Sequence, residues 1–104
     1  MIQSRPWRIE LAELHGTPVG AAAPPLKKGW VVKLLFSSRE RIDYLWVKVV
    51  RVSVDKENDE SVRYTGVVKS DAAGFRDLEI GTVVEFVQEQ IFDYVDVEEK
   101  ARRR

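Results

Sequence analysis

Hydrophobic and polar positions alternate along most of this chain with the period of two that marks strands buried on one side. The longest such run is Tyr44-Leu45-Trp46-Val47-Lys48-Val49-Val50-Arg51-Val52-Ser53-Val54, with five valines in eleven residues. Leu45, Val47 and Val49 share one face, and Trp46 and Lys48 share the other. The phase breaks at Val49-Val50, after which Arg51 and Ser53 take the parity of the core residues. An extra residue on one strand produces such a break, so a β-bulge or strong bend is predicted there. A small barrel needs a bend of this kind to close.

Weaker runs flank this one. Trp30 to Phe36 places Trp30, Val32, Leu34 and Phe36 on one face. Val31, Lys33 and Leu35 lie opposite, and apolar residues on both faces predict a strand covered on both sides. The polar stretch Ser37 to Asp43 reads as a connection, and Asp55 to Glu60 as a hairpin loop. Val62 to Lys69 is the return strand. Gly66 in its middle weakens a strand unless a cross-strand side chain, Trp46 or a core valine, approaches the backbone there. Residues 70–81 form a connector in which Phe75, Leu78 and Ile80 pack down, with room for a helical turn over 76–80. Thr82 to Val87 and Ile91 to Val95 are two more strands, separated by a turn at Gln88-Glu89-Gln90.

At the N-terminal end, Trp7-Arg8-Ile9-Glu10-Leu11 alternates like a strand. Trp7, Leu11 and Leu14 would also share a helical face, with Ser4 as cap and Pro6 in the first turn. The alternation favours the strand. His15 reads as a surface residue without partners, and 16–29 as an ordered connector that holds three of the four prolines. The whole predicts one mainly β domain over 1–104, a small antiparallel, SH3-like, partly open barrel of five to six strands. Its core spans 26–95, and 1–6 and 98–104 are tails.

Composition narrows the chemistry. The 104 residues include no Cys and one His. That rules out a disulfide framework, a thiolate nucleophile and a Cys-based metal site, and it leaves little capacity for His ligation. No cofactor is expected. There is no G-x-S-x-G and no phosphate-cradling glycine loop. Asp93, Asp96, Glu98 and Glu99 cluster in sequence, but 93 and 96 fall on opposite strand faces. A converging pair of acids leaves a hydrolase as a residual reading. No apolar run approaches the length that spans a bilayer and no signal peptide is apparent, so a cytoplasmic protein is expected. Net charge is zero, but residues 1–52 carry nine Lys/Arg against four Asp/Glu, and 53–104 carry eight against thirteen. Interleaved strands would mix these charges across the barrel.

Taken in order, Leu26-Lys27-Lys28-Gly29, Val32-Lys33-Leu34-Leu35-Phe36, Leu45-Trp46-Val47-Lys48-Val49, Tyr64-Thr65-Gly66-Val67-Val68, Leu78-Glu79-Ile80-Gly81, Val84-Glu85-Phe86 and Ile91-Phe92-Asp93 form a pattern. It resembles a family of small bacterial domains of unknown function with L-x-x-G-x-x-V-K-L-x-F, W-V-x-V and L-x-x-G-x-x-V-x-F segments. Some relatives in that family are candidate immunity proteins of bacterial toxin systems. The resemblance covers about residues 26 to 94. This chain has Gly29-Trp30 and Gly81-Thr82 where the family has Gly-Asp. The resemblance implies a compact β domain and no catalytic residues.

The favoured function is therefore that of a non-enzymatic protein that binds another protein. The alternative is a small barrel that binds single-stranded nucleic acid through exposed aromatics and flanking cations. The candidate surface comprises Trp46, Lys48, Arg51, Trp30, Lys33 and Arg63. For nucleic acid the candidates also include Tyr64 and Arg41. Trp46 has the parity of Lys48, which places it on the outer face.

Overall fold

The computed structural model describes residues 6–16, 25–55 and 61–97. Of the expected tails 1–6 and 98–104, all but Pro6 lies outside them, as do most of the connector (17–24) and residues 56–60 of the loop expected at 55–60, whose first residue, Asp55, is strand. Among the described residues six strands form one antiparallel sheet: β1 (Trp7–Ile9), β2 (Val31–Ser38), β3 (Ile42–Asp55), β4 (Ser61–Val68), β5 (Val83–Phe86) and β6 (Ile91–Val95). Strands β2 to β5 pair in sequence order. β1 and β6 share the remaining edge of β2, with β1 beside Phe36–Ser38 and β6 beside Val31–Leu34.

The connection from β5 to β6 requires the sheet to curl. In the order β6-β2-β3-β4-β5, a flat sheet would hold the outer strands about 19 Å apart. Only residues 87–90 join them, and five extended peptide steps reach about 17 Å. Three of the four linking residues form a tight 3-10 turn, Gln88–Gln90, which reaches less. The sheet accordingly bends into a curled half-barrel. The bend has a local source in β3: Val49 pairs with Gly66 and Arg51 with Thr65, so Val50 is the extra residue of a bulge. That is the break predicted at Val49-Val50.

Inside the curl, Val32, Leu34 and Phe36 of β2 meet Leu45, Val47 and Val49 of β3, all at most 1% exposed. Tyr64, Val68, Val84, Phe86 and Ile91 complete this layer. Each such side chain contributes about 1.5–3 kcal/mol of burial. Gly66 sits where the sequence required a close approach. A Cβ there would strike the Val47 side chain and lie 2.8 Å from the Lys48 carbonyl. Tyr64 is buried with its hydroxyl bonded. It accepts from the Leu26 amide at 3.2 Å and donates to Gln88 Oε1 at 2.8 Å.

A second, smaller cluster lies outside the sheet, where Leu35 packs with Ala12 and Phe92. This covers β2 on its other face, as its two-sided apolar pattern predicted. Phe92 reaches that side because the β2–β6 register shifts between Lys33 and Leu34. Ala12 belongs to a 3-10 turn, Ala12–His15, so the N-terminal segment is a short strand followed by a single turn. Leu11 and Leu14, the residues of the helical alternative, are exposed. Trp7 is buried against Phe36, with ring centroids 5.5 Å apart, so the core reaches outside 26–95.

Two further expectations are corrected. The polar stretch 37–43 is mostly strand: β2 continues through Ser38 and β3 resumes at Ile42. Polar side chains are compatible with a strand whose outer face meets solvent. Here Ser38 Oγ accepts from the Glu40 and Arg41 amides, which closes the turn tightly. In the connector 70–81, Phe75 and Leu78 pack down, but Ile80 is 61% exposed and 76–80 forms turns rather than a helix.

Candidate binding face

Residues directly opposite on paired strands project to the same side of the sheet. Lys33 pairs with Trp46, Val31 with Lys48, Lys48 with Val67, Arg51 with Thr65 and Ser53 with Arg63. All of these lie on the outer face. The bulge at Val50 is what allows it, because Lys48 and Arg51 are three apart and would face opposite ways on a regular strand. Five of the six candidate residues thus share one surface: Trp46, Lys48, Arg51, Lys33 and Arg63.

Trp30 does not join them. It is 6% exposed on the core side and stacks on Tyr94, with centroids 5.8 Å apart and planes 10° from parallel. Its Nε1 is buried without a hydrogen-bond partner among the described residues. Tyr64, the other aromatic near the candidate set, is a core residue.

The face has aromatic content from another source. Tyr44, 47% exposed, stands beside Trp46 two residues along β3. Lys33 Nζ lies 5.5 Å from the Tyr44 ring centroid and 5.3 Å from that of Trp46, so the ammonium spans both rings. Tyr44 also meets Phe92 edge-on at 5.2 Å. Half-buried Trp46 is held by its backbone, which accepts from Lys69 N at 2.8 Å and donates to Ser70 Oγ at 2.8 Å. Ile42 continues the row beyond Tyr44, 57% exposed, and Val83 extends it across β5 beside Val67, also 57% exposed. On the outer face of β2, β3 and β4, between Val31 and Ser37, Ile42 and Ser53, and Arg63 and Val67, Lys33, Lys48, Arg51 and Arg63 are the charged residues. The acids Asp93 and Glu85 stand on the flanking strands, opposite Lys33 and Thr65. Mixing of charges between the chain's halves thus leaves the middle of this face basic.

Past Ile42 the face runs into an open groove of about 690 Å³ between β1 and the β2–β3 turn. Arg8, Arg39 and Arg41 line it with Glu10, Glu40 and the Ser37 and Ser38 hydroxyls. Arg8 Nε bonds Glu10 Oε2 at 2.7 Å, Ser37 Oγ donates to the same oxygen at 3.0 Å, and His15 Nε2 lies 3.2 Å from Oε1. Burial opposes the Glu10 charge, but the hydrogen bonds from His15, Ser37 and Arg8, with the Arg8 charge, outweigh it and hold the carboxyl below its ordinary value. His15 therefore has a partner, contrary to expectation. Its ring also sits 6.1 Å from that of Phe92.

Tyr44 was within reach of sequence reading, since it has the parity of Trp46. The groove was not, because Arg8 and Arg39 meet only through the pairing of β1 with β2. No group of three or more His, Cys, Asp or Glu suited to a metal occurs among the described residues. No helix among them is long and apolar enough to cross a membrane. No protein-family model, curated protein or solved structure matches this chain.

Proposed function

We propose that this chain is a non-enzymatic binding protein that docks an acidic protein partner on the outer face of its sheet. The observation that supports it is the continuity of that face. Exposed Ile42, Tyr44 and Val83 interleave with Lys33, Lys48, Arg51 and Arg63, with no acid between them on β2, β3 and β4. Apolar contact supplies affinity in such a surface, and charge of one sign selects the partner and speeds its approach. Sequestration of a partner also agrees with the resemblance to candidate immunity proteins of bacterial toxin systems. An SH3-like reading of the barrel and a cytoplasmic setting belong to the same proposal. In support of the former, a four-strand meander and a 3-10 turn lead to a last strand that returns to β2.

The four cations with two aromatics also support a second reading, single-stranded nucleic acid. Base stacking needs open ring faces. Lys33 lies over both rings, and Phe92 meets Tyr44 edge-on, so the aromatics serve better as packing surface than as stacking platforms.

Affinity capture from the source organism's extract, with the native chain and a Lys48→Glu/Arg51→Glu variant, tests the first reading. A partner held by the native chain and lost by the variant is expected. Identical capture by both overturns it. Titration of labelled single-stranded RNA and DNA at low salt tests the second, and absence of binding at tens of micromolar excludes it.

A further inference from the structure

The groove at the end of the outer face has a chemistry distinct from the face itself. Arg8, Arg39 and Arg41 line it, the Arg41 guanidinium packing on Phe75, and guanidinium forks match carboxylate geometry through paired N–H donors. Its acids do not cancel them equally. The Glu10 carboxylate is turned onto Arg8 Nε, Ser37 and His15, which consumes one edge of Arg8. No partner for the terminal nitrogens of Arg8 occurs among the described residues, and the Arg8 side chain is 79% exposed. Arg39 is exposed and makes no ion pair among them. Arg41 lies with its guanidinium 6.0 Å from the Phe75 ring centroid and only a long 3.4 Å contact to Asp43. The framework is firm: Arg8 is carried by a strand paired opposite Ser37, and the turn bearing Arg39 is closed by Ser38.

We propose that this groove receives a side-chain carboxylate from an acidic segment of the docked partner, with Arg8 and Arg39 as its ligands. The inference rests on the protein-docking reading of the outer face and names the part of the partner that face selects. Charge complementarity carries it. Four cations on β2, β3 and β4, with acids only on the flanking strands, lead into the exposed Arg8 and Arg39 of the groove, and Ile42 stands at the junction of the two.

The test titrates an oligoglutamate peptide, an oligoglutamine control and inorganic phosphate into the native chain, Arg39→Ala, Arg8→Ala and Lys48→Glu/Arg51→Glu, by calorimetry at low salt. Arg39 and Arg8 are exposed, so their removal leaves the core intact. Oligoglutamate is expected to bind the native chain and to weaken about tenfold or more in Arg39→Ala and in Arg8→Ala, the loss of a charged hydrogen-bond pair. Oligoglutamine should not bind. Equal binding to native and groove variants overturns the inference, as does binding of phosphate alone, which would make the groove a free-anion site. Failure of the docking reading shows separately. In that case the captured partner is indifferent to Lys48→Glu/Arg51→Glu. If the partner is lost by that variant but retained in full by Arg39→Ala/Arg8→Ala, docking stands and the groove inference falls.

Discussion

Gln90 donates from Nε2 to the carbonyl of Ile9 at 3.0 Å, across 81 residues of sequence. Its Oε1 meanwhile accepts from the Val87 amide at 2.9 Å. One carboxamide thus ties the end of β5 to β1, closing the seam between the two edges of the curled sheet. Gln90→Ala leaves both backbone groups to water or unpaired. A loss of about 1–2 kcal/mol is expected in urea unfolding, with faster amide exchange at Val87 than in the native chain.

Gly66→Ala forces a methyl group against Val47 and the Lys48 carbonyl. Overpacking of this kind costs about 1–3 kcal/mol. Val47→Ala in the same chain should restore only part of that loss, because the carbonyl at 2.8 Å is backbone and cannot withdraw. Unfolding midpoints of the two single variants and the double variant check this. Full rescue would mean that the side chain alone sets the limit.

Tyr64→Phe removes the hydroxyl between Leu26 N and Gln88 Oε1. A buried amide then loses its acceptor, at about 1–3 kcal/mol. Hydrogen exchange at Leu26 should quicken more than at Val32 or Val47, which lie in the ladder and open only with the whole sheet.

The depressed Glu10 pKa makes a pH-dependent contribution. Its carboxylate favours the folded state wherever it is charged in both states, at pH above the ordinary value of 4.5. That contribution is lost as pH falls through the lower folded value. Native chain and Glu10→Gln should therefore differ in urea midpoint at pH 7 and differ less in acid well below 4.5. A gap unchanged between the two would disprove this linkage.

Of the three tryptophans, Trp7 and Trp30 are 7% and 6% exposed, while Trp46 is half-buried. Trp46→Phe should remove most of the fluorescence that acrylamide quenches. Equally steep quenching before and after the change would place a different tryptophan at the surface.

The strands were legible because one face of each is buried and period two survives in the side chains. Leu45, Val47 and Val49 show it most plainly, and even the Val50 bulge appeared as a break in phase. Trp46, Lys48 and Arg51 were placed together on the same grounds. Trp30 belongs to the core, as its parity with Val32, Leu34 and Phe36 indicates, and its place among the candidate surface residues ran against that alternation. The Ser37–Asp43 stretch misled because polar residues suit both a turn and a solvent-facing strand. The arginine groove was invisible, for nothing local to Arg8 or Arg39 announces that β1 will lie beside β2.

The bulge at Val50 also separates curvature from patterning. Val50 and Arg51 together oppose Thr65, and Val52 already stands opposite Tyr64. Deleting Val50 would leave every later side chain on its present face while straightening the strand. Such a protein would keep its hydrophobic pattern and its surface chemistry, yet the curl that the 87–90 connection requires would lose its local source in β3, and the seam between the sheet's edges would come under strain. Open edges invite pairing with a neighbouring chain. By this account the single extra valine acts as a safeguard against self-association, holding the edges of the sheet turned toward one another.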